Sequence, residues 1–259
     1  MRFGSSYPSK HPKFCLALIL YCVDCGSGYV PDAEAFIGDY YREEYGNDDR
    51  YGRHADPRDY FESAGAPSTF VNRAKAHVRS LIAEDATFGR VLDFGAGTGV
   101  FLLEVNAESP YAVEPDANCR KYLDYLNVTM LEGDQLPSNS FDVVASSHAF
   151  EHLSSSALIK QLRHFISALR FDGVGLIEVP NGSLSYVLKP NYQEPHTLFF
   201  TAEGLGRAIS RSGGEVVKFF ERVPEHMPVR ENAIYRPRSM HSRFTGRGEG
   251  LVFIFRRSL

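Results

Sequence analysis

Near the middle of the chain, His148, Glu151 and His152 stand three and four residues apart, and His196 follows later. On a turn or a helix start, that spacing lets two imidazoles and a carboxylate face one point. Two chemistries are open to such a set. It can hold a divalent cation, and its histidines suit zinc, iron or manganese better than magnesium, which prefers oxygen ligands. Without a cation, His148 or His196 can take a proton from a hydroxyl or amine, because histidine changes charge near neutral pH. The metal-free arrangement is preferred, with His148, His152 and His196 as the catalytic candidates and no metal ligands. The order His-x-x-Glu-His also matches a metalloprotease pattern, but that assignment needs its own helical context and leaves an upstream glycine cluster unexplained.

The glycine cluster lies in Val91-Leu92-Asp93-Phe94-Gly95-Ala96-Gly97-Thr98-Gly99-Val100-Phe101-Leu102. A short apolar run ends in three glycines at alternate positions and passes into an apolar-periodic segment, which reads as a buried strand, a tight turn and a helix start. Glycine is needed in such a turn because a Cβ would forbid its dihedrals or hold a ligand away from the backbone N–H groups. The pattern is G-x-G-x-G, whereas dinucleotide sites use G-x-G-x-x-G. Asp93 precedes it, and Glu114 ends the next apolar run, Tyr111-Ala112-Val113.

These residues resemble motif I of the class I S-adenosylmethionine (SAM)-dependent methyltransferases. Glu151-His152-Leu153, the Pro180-Asn181 pair and His196-Thr197-Leu198-Phe199-Phe200 resemble further signatures of the same family. The resemblance runs from about Gly89 to Phe255. It implies an α/β fold: a Rossmann-like seven-stranded sheet in the order 3-2-1-4-5-7-6, last strand antiparallel, with helices on both faces. It also implies a loop of Asp93, Gly95, Ala96, Gly97 and Gly99 against the methionine and ribose of SAM. Glu114, with Pro115 after it, would accept both ribose hydroxyls; Asp134 would accept the adenine amino group, and the Gln135 N–H would donate to the ring. Ser147 opens the segment at the carboxyl end of the fourth strand and is counted with the cofactor residues. His148, Glu151 and His152 resemble the Glu-x-x-Glu-His metal triad of ubiquinone-pathway and small-RNA 2′-O-methyltransferases, with histidine in place of the first glutamate. In the wider family there is no metal, and His152 packs beneath the cofactor.

The elements that must position these groups are legible from periodicity. Strands are expected at Val91–Phe94, Tyr111–Glu114, Val128–Leu131, Ser140–Ser146, Gly175–Val179, Glu215–Phe220 and Gly250–Phe255. Helices are expected from Ser68, as N-cap, to about Glu84, over Val100–Val105, after Pro115-Asp116, from Leu158 to Leu169, and over residues 202–212 up to Gly213-Gly214. Phe171-Asp172-Gly173-Val174-Gly175 is expected to be a turn. The six arginines from Arg222 to Arg247 read as a basic loop able to meet a phosphate or carboxylate, or as a solvated one.

The domain proper is placed at 68–259, behind an extension at 1–67. Residues up to about Lys13 are polar and expected to be loosely attached. Phe14 to Tyr21 looks like a strand leading to Cys22-x-x-Cys25-Gly26, which resembles half of a zinc ribbon whose other pair is missing. It is read as a small hydrophobic hairpin. Phe36, Ile37, Tyr40, Tyr41 and Tyr45 form a helical stripe over Asp32–Tyr45, read as a lid over the site.

The chain has 259 residues, 43% hydrophobic and 23% charged, enough for one full core. Its net charge of −4 gives no overall field for nucleic acid. The longest apolar run, Phe14–Val23, is too short to span a bilayer and lacks a cleavage site after it. A cytoplasmic methyltransferase with a small-molecule acceptor is therefore expected. The alternatives are an RNA methyltransferase with a metal-assisted His/Glu site and a non-catalytic SAM-binding protein.

Overall fold

The computed structural model describes residues 2–6, 14–15, 17–31, 33, 40, 55–63, 65–182, 196–222, 235–237 and 250–258. The elements in chain order are β1 (Arg2–Ser6), β2 (Leu18–Cys22), β3 (Gly28–Tyr29), α1 (Pro57–Glu62), α2 (Ser68–Ile82), β4 (Arg90–Phe94), α3 (Val100–Val105), β5 (Ser109–Val113), α4 (Arg120–Tyr125), β6 (Thr129–Met130), β7 (Phe141–Ser147), α5 (Leu158–Ala168), β8 (Leu169–Pro180), β9 (Leu198–Phe199), α6 (Ala202–Arg211), β10 (Gly214–Arg222), β11 (Tyr235–Pro237) and β12 (Gly250–Arg257). Single 3-10 turns precede α4 (Ala117–Cys119) and follow β7 (Phe150–His152).

The main sheet runs β11-β10-β12-β8-β7-β4-β5-β6. From β6 to β8 all pairings are parallel, and β12 is antiparallel to both β8 and β10. In sequence rank the seven main strands stand in the order 3-2-1-4-5-7-6, the expected class I arrangement. Alternation along the central strands feeds two cores: Leu92 and Val144 point to the layer holding α5 and α6, while Val91, Val143 and Ala145 point to that holding α2 and α3.

Four details depart from the sequence expectation. β11 adds an eighth strand beyond β10, within the arginine-rich stretch read as a loop, pairing Phe220 with Pro237 through Arg222 with Tyr235. Ser68 is the first residue of α2 and not its cap, because Pro67, in an extended conformation, takes that position and provides no side-chain bond. No turn stands at 171–175: α5 passes directly into β8 at Leu169, which pairs with Phe141. An irregularity before Val143 absorbs the extra residues, with Arg170 paired to Asp142 and Phe171 under the Arg257 guanidinium. Finally, Arg2–Ser6 is a strand, antiparallel to β2 from Arg2–Cys22 to Ser6–Leu18, because β2 offers it an open edge.

β3 pairs in turn with β9, so a four-stranded sheet β1-β2-β3-β9 joins the amino-terminal hairpin to the segment bearing His196. Its own core is Phe14, Ile19, Tyr21, Val30, Ala33, Tyr40 and Phe199. Apart from residues 33 and 40, the helix expected over Asp32–Tyr45 lies outside the described residues, as do most of the arginines of 222–247. No helix among the described residues is long and apolar enough to cross a membrane.

Candidate active site

β5, β4 and β7 are parallel neighbours, so their carboxyl ends lie along one edge of the sheet, where open α/β sheets bind ligands. After β4, the chain turns through Gly95, Gly97 and Gly99, with φ of 78°, 53° and 82°. Gly95 donates to Val113 O at 2.8 Å, and a Cβ there would stand 2.4 Å from the Ala149 Cβ. That position admits no side chain. Gly97 differs: nothing lies within 4 Å of where its Cβ would be, so its left-handed turn opens onto free space. Ala96 donates to Val113 O at 3.3 Å, and Gly99 caps α3.

Glu114 follows β5 directly. Its carboxylate accepts from Gly97 N–H at 2.6 Å and Asp116 N–H at 2.8 Å, which ties the glycine turn to the neighbouring strand. Beside it is a cavity of about 160 Å³ lined by Glu114, Asp116, Ala117, Arg120, Leu123 and Met130, so that apolar side chains and charges of both signs meet there. Pro115 is exposed. Asp93 is buried; burial, then the charge of Glu114, pushes its pKa up to about 8. Asp134 and Gln135 are exposed on the turn after β6, where the Gln135 N–H closes the turn onto Glu132 O at 3.1 Å. The N–H expected to meet adenine is thus engaged by the chain itself.

The amino-terminal side covers the turn. Tyr60 of α1 is fully buried, and the Thr98 hydroxyl donates to its hydroxyl at 3.0 Å. The Tyr60 ring packs on Tyr122 of α4, whose hydroxyl donates to Ala55 O.

At the end of β7 the backbone takes a left-handed conformation at His148, φ 58°, rare outside glycine and asparagine. Ser147, just before it, is half-buried. His148 Nδ1 lies 3.2 Å from Glu151 Oε1, and its Nε2 lies 3.6 Å from Glu178 Oε1. Both ring nitrogens of His148 therefore face carboxylates. The turn Phe150–His152 is fixed from below by Phe150, stacked on Phe94 at 5.3 Å. Thr197 fastens it from the side: its N–H donates to Glu151 O and its hydroxyl lies within bonding distance of Glu151 O and Leu153 O. His196 is thereby brought against His152, ring centroids 4.9 Å apart at 76°. One ligand atom each from Glu151, His152 and His196 lie within 4.8 Å of one another. The structure brings His152 and His196 together and turns His148 toward two acids.

The sequence reading missed Glu178. It is fully buried near the end of β8, where His77 Nε2 lies 2.6 Å and Arg222 Nε 2.5 Å away, with Arg73 Nε at 4.0 Å. Burial works to raise its pKa, but His148, His77, Arg222 and Arg73 outweigh that and hold it well below the usual carboxylate range. Burial keeps His77 below the ordinary histidine value despite Glu178, so the imidazole donates as a neutral ring. The available signal was a glutamate inside the apolar run Gly175-Leu176-Ile177-Glu178-Val179.

The Cys22–Cys25 turn packs on the start of α6, where the Thr201 hydroxyl donates to Cys25 O at 2.5 Å and Ser27 Oγ accepts from Thr201 N–H. Backbone N–H groups of Cys25 and Asp24 lower the Cys22 thiol, and burial raises that of Cys25. Among the described residues no third metal-ligating side chain joins them.

Sheet order, glycine turn and strand-end carboxylate together define the class I SAM-dependent methyltransferase fold. A family model described as a methyltransferase domain matches residues 68–219, more than half of the chain, and the protein belongs to that family. An uncharacterized methyltransferase of Anoxybacillus flavithermus is 27% identical over 157 residues, 57% of this chain, and the chain spans 65% of that relative's length. Among solved structures, a SAM-dependent methyltransferase of Clostridium acetobutylicum superposes with a TM-score of 0.56 at 12% identity, covering 81% of this chain and 99% of the other. One from Archaeoglobus fulgidus gives 0.52 at 24% identity, covering 72% and 94%. At these identities the likeness establishes the fold.

Proposed function

We propose that the protein transfers a methyl group from SAM to a small-molecule acceptor, a sugar or another biosynthetic intermediate, in the cytoplasm. The observation that carries this is the open left-handed turn at Gly97, tied to a strand-end Glu114 beside a cavity that Leu123 and Met130 also line. A nucleoside fits that arrangement: the carboxylate accepts from its ribose, and Leu123 and Met130 take its base. SAM supplies a methyl on a positively charged sulfur, so the leaving group is already activated.

What remains for the protein is alignment and exclusion of water. The glycine turn and Glu114 fix the donor, while α1, through Tyr60, closes over the turn. His148, His152 and His196 form the wall facing the acceptor and handle the proton it loses. His148, with both nitrogens toward acids, shapes that wall, and the His152–His196 pair meets the acceptor.

Methyl-labelled SAM offered with separate metabolite and RNA fractions tests the reading. Label should appear in small molecules. Label in RNA, or SAM binding by calorimetry with no transfer to either fraction, overturns it.

A further inference from the structure

Two sulfurs stand together on the turn that ends β2. From Cys22 to Cys25 the chain folds back tightly: Gly26 N–H donates to Cys22 O and Cys22 N–H to Ser27 O, both at 2.8 Å, and Gly26, at φ 71°, leads out toward β3. Such a turn keeps its first and fourth Cα atoms within about 7 Å, the span a disulfide can bridge. The thiols already meet, since a hydrogen bond joins the two side chains.

Their surroundings differ. The N–H groups of Cys25 and Asp24 point at the Cys22 sulfur and favour its thiolate, outweighing burial and the Asp24 charge. Burial instead pushes the Cys25 thiol up, against the bonds that Ser27 gives it. The Cys25 sulfur rests on α6, 3.3 Å from where a Cβ on Gly204 would stand, and its carbonyl accepts from the Thr201 hydroxyl. Between the two cysteines the tip is open: Val23 is 51% exposed, and Asp24 is exposed as well. Structural zinc takes four ligands, and among the described residues no third joins these two, so the pair is read as free thiols and not as half of a metal centre.

We propose that Cys22 and Cys25 form a reversible dithiol–disulfide site that reacts with a low-molecular-weight disulfide, Cys22 as the attacking sulfur and Cys25 as the resolving one. The Cys22 thiolate attacks one sulfur of the co-reactant, forms a mixed disulfide and expels the other half as a thiolate. Cys25 then gives its proton to solvent and attacks Cys22 Sγ; the Cys22–Cys25 bond forms as the mixed disulfide breaks, and the second thiolate leaves. The two cysteines lose two electrons and the co-reactant gains them. Excess thiol reverses both steps. A thiolate held by main-chain N–H groups beside a neighbouring thiol is the arrangement that makes such exchange site-selective. This chemistry is separate from methyl transfer.

The test uses the full chain carrying Cys15→Ser, which removes the exposed thiol outside the turn. The protein is reduced, stripped with chelator and equilibrated at neutral pH with glutathione and glutathione disulfide in varied ratio. Peptide mass mapping should find a Cys22–Cys25 bond whose fraction follows that ratio and vanishes in excess glutathione. Cys25→Ser should stop at a stable glutathione adduct on Cys22, and Cys22→Ser should react about tenfold or more slowly than Cys25→Ser. Circular dichroism checks each fold, and the alanine variants Cys22→Ala and Cys25→Ala replace a serine variant that misfolds. A pair that stays reduced in glutathione disulfide alone overturns the inference, as do equal rates in the two single variants. One zinc ion per chain, held by the two sulfurs before chelation, overturns it too. None of these readings involves SAM, so failure here leaves the proposed methyl transfer standing.

Discussion

The two halves of the site are built differently. On the side proposed to hold the donor, the arrangement is made by neighbours in sequence and by the backbone: three glycines within five residues, and a glutamate at the end of the next strand bonding N–H groups of the turn and of its own successor. On the side proposed to face the acceptor, it is made by side chains drawn from α2, the β7 turn, β8, the β9 segment and β10 onto two buried carboxylates, Glu151 and Glu178. The donor half is therefore a local motif, set by residues close together in sequence. The acceptor half is a long-range assembly, where each member depends on the others for charge compensation.

The largest effect should come from breaking the assembly at its centre. Glu178→Ala leaves Arg222 and Arg73 without their carboxylate and His77 without its acceptor, and should cost about 3 to 5 kcal/mol in urea unfolding. Glu178 has a depressed folded pKa, so its contribution is present above its ordinary value of 4.5 and is lost as the pH falls through the lower, folded value. The next effect probes the donor half. Glu114→Ala removes a charged acceptor and should weaken SAM binding by about 1.5 to 3 kcal/mol, measured by calorimetry, with a much smaller loss of stability. If instead Glu178→Ala chiefly weakened SAM binding and Glu114→Ala chiefly unfolded the protein, the division between the halves would be wrong.

Asp93 gives a pH signature belonging to the donor half alone. Its pKa is raised from 3.8 to about 8, so between those values the folded state keeps a proton that the unfolded state has lost. From this group, stability is greatest below pH 3.8, falls as pH rises by up to about 1.4 kcal/mol per unit, and levels off above about 8. Asp93→Asn should remove that slope from unfolding curves taken across the range. A slope unchanged in the variant would show that Asp93 is ionised in the fold.

The same contrast explains what the sequence disclosed. The individual strands, the glycine turn and the strand-end place of Glu114 were legible because strand–turn–helix periodicity and glycine spacing are local, and the sheet order came from the family resemblance that those motifs carry. The acceptor half was only half legible. His148, Glu151 and His152 stand together in sequence, but that His148 turns from the pair toward Glu178 follows from a strand-end left-handed residue and from an acid on another strand. Glu178 hid among apolar neighbours, with His77 101 residues away. β1 was missed because its polar residues are held by the edge of β2 and not by a hydrophobic pattern. The expected turn at 171–175 failed because glycine there relieves crowding against Leu169 and Phe255 inside a continuous strand.

The smallest expected effect concerns the link between the hairpin and the acceptor wall. Thr201 caps α6 by accepting from Gly204 N–H at 3.1 Å, and its hydroxyl donates to Cys25 O, so one side chain joins the Cys22–Cys25 turn to the strand segment that carries His196. Thr201→Val keeps the shape and removes these bonds together with the 3.2 Å contact between the Thr201 and Ser27 hydroxyls, and should cost about 1 kcal/mol in thermal unfolding. Because Gly97 and Glu114 reach neither α6 nor the hairpin, SAM affinity should stay within a factor of about two, inside the scatter expected of distant, independent sites. A parallel loss of SAM binding would mean that the second sheet reaches the donor pocket after all, and that the two halves are coupled through the His196 segment.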